Sequence, residues 1–270
     1  MEQITREVFW NIPAGLRVMF YISAVAASVI FLAGLWSRVS VWLRGADLKD
    51  DYVHGMGTLA LARESFTKFF SADCFFAKRV FERSKSRGII LTVTIWSFLT
   101  LFVGTLIIAV DFDLGLNFLK GDTYLAYSLI LDIAGGLLGL CLLFYLVRRY
   151  LIKPERIVSF IDDGIVLSLM FLIVFSGFCT EGLRLLYFRP EMMDWSPVGH
   201  VFAWFFGLLF GDDKASYLAA HRLAWLTHAG SAFTFIAYIP FSKQFHMFSA
   251  QIVTAAAKAR QERLKTILHD

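Results

Sequence analysis

Five apolar stretches, each long enough to cross a bilayer, leave this chain few ways to fold. They run Val18–Trp36, Ile89–Val110, Tyr124–Val147, Ile161–Leu183 and Ala219–Pro240. A crossing helix needs about 20 apolar residues. In hydrocarbon every backbone N–H and C=O must be satisfied inside the protein, which restricts spanning segments to helices and closed barrels. Stretches of this length read as helices, so the chain is expected to be an all-α integral membrane bundle of five transmembrane helices. A sixth apolar segment, Val198–Phe210, is too short to cross and reads as interfacial or re-entrant.

Composition agrees. Hydrophobic residues make up 57% of the 270 and charged residues 18%, against about 25% charged in soluble globular domains. The net charge of +4 is modest, and the basic residues gather in loops rather than along one stripe, which argues against nucleic acid as a partner. Cys74, Cys141 and Cys179 show no CxxC spacing. They neither supply the thiolates of an iron–sulfur cluster nor suggest a disulfide framework. The start of the chain is polar and leads directly into a full-length span, so no signal peptide is expected. Neither a soluble domain nor an internal repeat stands out, and residues 1–270 read as one membrane domain. Without an inverted repeat or paired broken helices, a transporter is disfavoured.

Lys and Arg set the orientation. The loop at residues 37–88 is rich in them (Arg38, Arg44, Arg63, Lys78, Arg79, Arg87), as are the third loop (Arg148, Arg149, Lys153, Arg156) and the tail. The second loop carries Lys120, and the fourth Arg184, Arg189 and Lys214. The positive-inside rule then places the amino terminus outside and the carboxyl terminus in the cytoplasm of a bacterial or archaeal cell. The basic loop 37–88 and the tail 249–270 are expected to dock partners. Trp36, Trp42, Trp195 and Trp204 fit interfacial belts.

Intramembrane ionisable residues are functional suspects. His228 and His246 lie 18 residues apart in the last apolar segment. On one helix that spacing is five whole turns and a rise of about 27 Å, so both rings share a face near opposite membrane surfaces. Imidazole is a good axial ligand for haem iron, and the pair suggests two haem sites stacked across the membrane. A second ligand for each must come from elsewhere. His54 lies in the cytoplasmic loop, His200 in the short segment and His221 two turns before His228. By side, His54 matches His246 and His200 matches His228. His221 is a further ligand candidate but cannot share an iron with His228. Each of these also has a plain reading as a surface or packing histidine.

Two acids fall at the level of His228. Asp132 lies inside the third span, and Glu181 near the end of the fourth. The functional reading makes them proton acceptors for a quinol. The structural reading pairs Glu181 with Arg184 at i,i+3 and bonds Asp132 to a neighbouring helix. Asp162 and Asp163 look like a helix start, where the dipole favours acids.

Several stretches together carry a resemblance: Cys74-Phe-Phe-Ala-Lys-Arg-Val-Phe-Glu-Arg, Ile95-Trp-Ser-Phe-Leu-Thr, Leu131-Asp-Ile-Ala-Gly-Gly, Arg148-Arg-Tyr-Leu-Ile-Lys-Pro, Ser176-Gly-Phe-Cys-Thr-Glu-Gly-Leu-Arg, and His221-Arg-Leu-Ala-Trp-Leu-Thr-His with Ile239-Pro-Phe-Ser-Lys-Gln-Phe-His. Over about residues 70 to 250 the chain resembles the membrane cytochrome b (gamma) subunit of respiratory nitrate reductase. It is similar also to cytochrome b subunits of heterodisulfide-reductase-like complexes of sulfate reducers, the sulfite-reductase-associated and Tmc-type complexes. The resemblance implies a five-helix, quinone-linked cytochrome b of anaerobic respiration. It implies one or two haem b, menaquinone as substrate, and His228 and His246 as iron ligands. A cytoplasmic iron–sulfur subunit and a periplasmic multihaem cytochrome c are the implied partners. Members commonly place a histidine just before the Trp matching Trp96; here Leu91 occupies that region. The expected function is electron transfer between menaquinone and these partners, with Arg184 among the cofactor-binding residues. The alternative is a haem-poor or haem-free anchor that only docks redox partners.

Overall fold

The computed structural model describes residues 8–46, 76, 78–153, 161–188, 193–246 and 249. His54, the middle of the 37–88 loop and nearly all of the 249–270 tail lie outside the described residues. Within them the regular structure is helical: α1 (Ala14–Ala46), α2 (Lys78–Arg83), α3 (Lys85–Asp113), α4 (Gly121–Leu146), α5 (Ile161–Phe188), α6 (Pro197–Phe210) and α7 (Lys214–Tyr238). Four helices among the described residues are long and apolar enough to cross a membrane: Ala14–Val41, Lys85–Asp113, Gly121–Ile152 and Ile161–Tyr187. These correspond to the first four expected spans. The short apolar segment is the helix α6. The fifth expected span falls on the 25-residue helix α7, which is not among these four apolar helices. His221, Arg222, Thr227, His228, Ser231 and Thr234 make it more polar than the other four.

The helices form where they do for local reasons. Asp162 and Asp163 occupy the first turn of α5, where their charge complements the exposed N–H groups, and Asp163 pairs with Arg149. Asp213 starts α7: its carboxylate accepts from the Ser216 hydroxyl and from the N–H groups of Ser216 and Ala215. These bonds, the Ser216 hydroxyl first, hold its carboxyl below the usual carboxylate range. Helix α4 ends in a π-turn over Val147–Ile152, and Lys153 adopts a left-handed conformation with φ 47° just before Pro154, which cannot continue a helix.

The chain forms two compact units. One comprises residues 1–24 and 90–235, the other 25–89 and 236–270. In the first, α6 packs chiefly on α5 and, with it, on α4. Large apolar side chains point away from the protein, as Leu140 (67% exposed) and Leu208 (67%) do. Such faces suit lipid. The close α5–α6 packing requires Gly182. A Cβ there would stand 2.6 Å from the Phe202 Cβ and 2.9 Å from the Ala203 nitrogen, and backbone cannot step aside. Gly182→Ala is therefore expected to cost on the order of 1–3 kcal/mol, the usual penalty of overpacking. Gly207→Ala, whose nearest neighbour would be the Leu186 side chain at 3.5 Å, should be neutral or stabilising. Unfolding temperatures of the two variants in detergent should differ accordingly, and equal temperatures would refute the packing argument.

In the second unit, the chain after α7 does not continue as an α-helix. It makes two 3₁₀ turns, Ile239–Phe241 and Lys243–Phe245, separated by Ser242 in an extended conformation (ψ 171°). Pro240 lacks the N–H an α-helix would need, and its ring clashes with the carbonyl four residues back. The sequence arithmetic that put His228 and His246 on one face assumed an unbroken helix between them, and that assumption is wrong. Gly34 of α1 lies against this segment: a Cβ there would be 2.8 Å from both Pro240 and Phe241.

Candidate functional site

Helix α4 carries Tyr124, Ser128 and Asp132 four residues apart, so they share one face. Each finds a partner on another element. The Arg184 guanidinium donates to the Tyr124 hydroxyl at 2.9 Å. Ser128 and Ser196 hydroxyls are 2.9 Å apart. The Asp132 carboxylate accepts the backbone N–H groups of Val198 and Gly199, both at 2.8 Å. This last contact explains how α6 begins. Its N-cap, Ser196, makes no side-chain cap bond, and Pro197 follows it. The N–H groups of the next two positions are those an N-cap side chain normally receives. Asp132 supplies that cap from α4 instead, its charge facing the positive end of α6. Asp132 is buried.

Glu181 and Arg184, one turn apart on α5, form an ion pair at 2.7 Å, with a second contact at 3.3 Å from Nε to the other carboxylate oxygen. Arg184 is buried, 6% exposed, and the Glu181 Cγ lies 3.0 Å from where a Cβ on Gly199 would be. Glu181 acts electrostatically on Asp132, and Glu181 and Arg184 both act on His221. The structure thus brings Asp132, Glu181, Arg184 and His221 together among α4, α5, α6 and α7. The i,i+3 pair and the cross-helix bond of Asp132 match the structural readings of these two acids.

His221 is buried, 3% exposed. The Trp10 ring stands edge-on to it at 4.5 Å, and Tyr187 lies 4.7 Å from Trp10. His200, on α6, is exposed. His228 sits further along α7, half-buried against α5. Its Nδ1 is 2.8 Å from the Ile173 carbonyl. A carbonyl only accepts, so in this contact Nδ1 carries the proton. Gly177 leaves room for the ring; a Cβ there would stand 3.2 Å from its Cε1 and 3.3 Å from Nδ1. His246, in the second unit, is exposed and lies in an open cleft with Arg38, Ser242, Lys243, Phe245 and Ser249. Its Nδ1 also lies against a backbone carbonyl, that of Lys243. Among the described residues no group of three or more His, Cys, Asp or Glu is arranged to hold a metal ion.

Tyr124, Ser128, Ser196, Trp10 and Gly177 were not singled out from sequence. The four-residue spacing of Tyr124, Ser128 and Asp132 was a readable signal. Their partners were not, because each comes from another helix.

Helices that turn apolar side chains outward and their few buried polar groups inward make this a multi-pass membrane protein. Its family follows from known proteins. The model of the nitrate reductase gamma subunit family matches residues 116–258, over half of the chain, and the chain belongs to that family. It is 30% identical over 256 residues to EtfAB:quinone oxidoreductase of Syntrophomonas wolfei, covering 92% of this chain but 34% of that protein. It is 26% identical over 264 residues to a subunit of the dihydromethanophenazine:CoB–CoM heterodisulfide reductase of Methanosarcina barkeri, covering 89% of this chain and 92% of that one. With the subunit of the same name in Methanosarcina acetivorans it shares 30% over 192 residues, 69% of this chain and 64% of that one. The chain therefore spans about a third of the first relative and nearly all of the second. No solved structure matches.

Proposed function

We propose that the protein is the haem b-binding membrane subunit of a respiratory complex, exchanging electrons between the menaquinone pool and an iron–sulfur partner. In this reading α7 is the fifth crossing, the amino terminus is outside, and residues 1–270 form one cytochrome b-like domain. The 37–88 loop and the tail offer docking surfaces to a cytoplasmic iron–sulfur subunit, and a periplasmic multihaem cytochrome c is a further partner. Family membership supports this, as do the relatives named for quinone and dihydromethanophenazine.

The observation that carries the haem reading is the tautomer of His228. Iron takes the imidazole lone pair, so a ligating histidine must hold its proton on the other nitrogen, and metal-bound histidines commonly donate that N–H to a carbonyl or carboxylate. Nδ1 of His228 does so to Ile173, and Nδ1 of His246 to Lys243. These two residues would hold haem b, each with its Nδ1 against a backbone carbonyl. When bound, haem b supplies reversible one-electron transfer. The chain's own contribution is to orient the imidazoles and to keep carboxylates near the quinol end. There Glu181, held by Arg184, takes the proton role, and Asp132 serves mainly by fixing α6. In this reading the second ligands are His54 for the His246 site and His200 for the His228 site, matched by side. The missing histidine at Leu91 favours the haem-free anchor as the alternative reading.

A reduced-minus-oxidised spectrum of the purified complex, with haem quantified per chain, tests the proposal. Wild type should show a b-type signal, and His228→Ala should lose one haem per chain. The absence of haem b from intact complex would leave the anchor reading standing.

A further inference from the structure

We propose that His221 binds the ring oxygen of the membrane quinol, in the berth that the Trp10 indole fills in this structure. The inference rests on the quinone-linked function proposed above and assigns its substrate contact.

His221 Nδ1 is fully buried and has no hydrogen-bond partner among the described residues. A buried polar atom left unpaired costs about 1–3 kcal/mol, and native structures rarely carry one without a reason. An aromatic side chain packs against the His221 ring. The Trp10 ring centroid lies 4.5 Å from that of His221, with the planes 68° apart. Tyr187 faces Trp10 at 4.7 Å, and Tyr217 stands 6.3 Å from Tyr187. The indole is a flat two-ring system, half-buried, with the footprint of a naphthoquinol ring. A site of aromatic walls with one polar atom at its end is the usual form of a pocket for a planar, weakly polar ligand.

The residues on either side of Trp10 are held in place. Phe9 is buried among Phe20, Phe112 and Trp225. Asn11 donates to the Leu218 carbonyl at 2.8 Å and accepts from Arg222 at 2.9 Å. Residues 8–13 belong to no helix, so a rotamer change of Trp10 breaks no helical hydrogen bond. A ring taking its place would offer a hydroxyl to Nδ1. The same nitrogen, once protonated, would donate to the quinone carbonyl. Glu181 and Arg184 lie within electrostatic reach. His228 follows on the same face of α7 about two turns, or ~10 Å, further along.

Two variants test this in the intact complex: His221→Leu, which keeps the volume and removes the polar atoms, and His221→Gln, which keeps a polar end. Menadione binding is measured directly by calorimetry and menadiol oxidation by steady-state kinetics, with haem content and spectrum read alongside. His221→Leu should weaken menadione binding and raise the menadiol KM by about 3- to 10-fold, the effect of one net hydrogen bond, with the haem spectrum unchanged. His221→Gln should recover part of the affinity, and it carries the test if the leucine variant does not assemble. Unchanged binding and KM in the variants would overturn the assignment, as would loss of a haem signal, which would make His221 an iron ligand instead. If wild-type complex neither binds menadione nor oxidises menadiol, the proposed function itself fails.

Discussion

Replacing Arg184 with methionine should destabilise the protein by up to about 3 kcal/mol, less than breaking a fully buried ion pair costs, because Glu181 is only part-buried. Arg184 is 6% exposed and holds both Glu181 and the Tyr124 hydroxyl. Methionine fills most of the space but leaves the Glu181 carboxylate without its counter-charge and Tyr124 without its donor. Glu181→Gln should cost less, because the guanidinium keeps Tyr124 and an amide oxygen. The decisive comparison is the double variant Glu181→Gln/Arg184→Met. With both charges gone, no ion is stranded, and replacing a whole buried pair is often close to neutral. The double variant should therefore be more stable than Arg184→Met alone, measured by denaturant or thermal unfolding in detergent. If the double variant is as unstable as the single one, the loss comes from packing and not from the stranded charge.

Asp132→Ala is expected to release the start of α6. The substitution strips the partners from the N–H groups of Val198 and Gly199 while the packing still excludes water from them. At about 1–3 kcal/mol per orphaned group, the total lies at roughly 2–6 kcal/mol, unless α6 detaches and lets water in. Hydrogen exchange separates the two outcomes. In wild type the amides of Val198 and Gly199 should be protected; in Asp132→Ala they should exchange orders of magnitude faster. Asp132→Asn should fall between, since its single carbonyl oxygen serves one N–H while its amide group opposes the other. Ser128→Ala, which loses only the hydroxyl contact to Ser196, should leave the amides protected. Equal protection in wild type and Asp132→Ala would show that α6 is held by its apolar contacts alone.

Much of the fold was legible in the sequence because lipid imposes a simple rule. A run of about 20 apolar residues is read without knowing its neighbours, and four of the five expected spans are long apolar helices. Their ends were legible where chemistry is local, as at Asp162 and Asp163. The site was legible only in part. Glu181 and Arg184 are one turn apart on the same helix, so their pairing was readable. Asp132 was conspicuous as an acid in an apolar run, but its partners, Val198 and Gly199, are distant in sequence and lie on the backbone of another helix. Backbone N–H groups leave no mark in a sequence. His221 and His228 looked alike as letters on one face of one helix. Their neighbours, Trp10 and the Ile173 carbonyl, give them different environments.

The sequence by itself determined that the chain is helical and membrane-embedded, and it picked out the histidines and acids that such a setting makes costly. Its periodic arithmetic held where a helix runs unbroken and failed at Pro240, where a missing N–H ends α7 before His246. Only the tertiary structure decided what the polar residues do. Burial removes water, so each buried group must find a partner in the protein, and the packing of α4, α5 and α6 chose those partners. It gave Asp132 the end of a helix, Arg184 a carboxylate and a phenol, and His228 a carbonyl. It gave the Nδ1 of His221 none among the described residues, and that missing partner is the strongest pointer to a ligand.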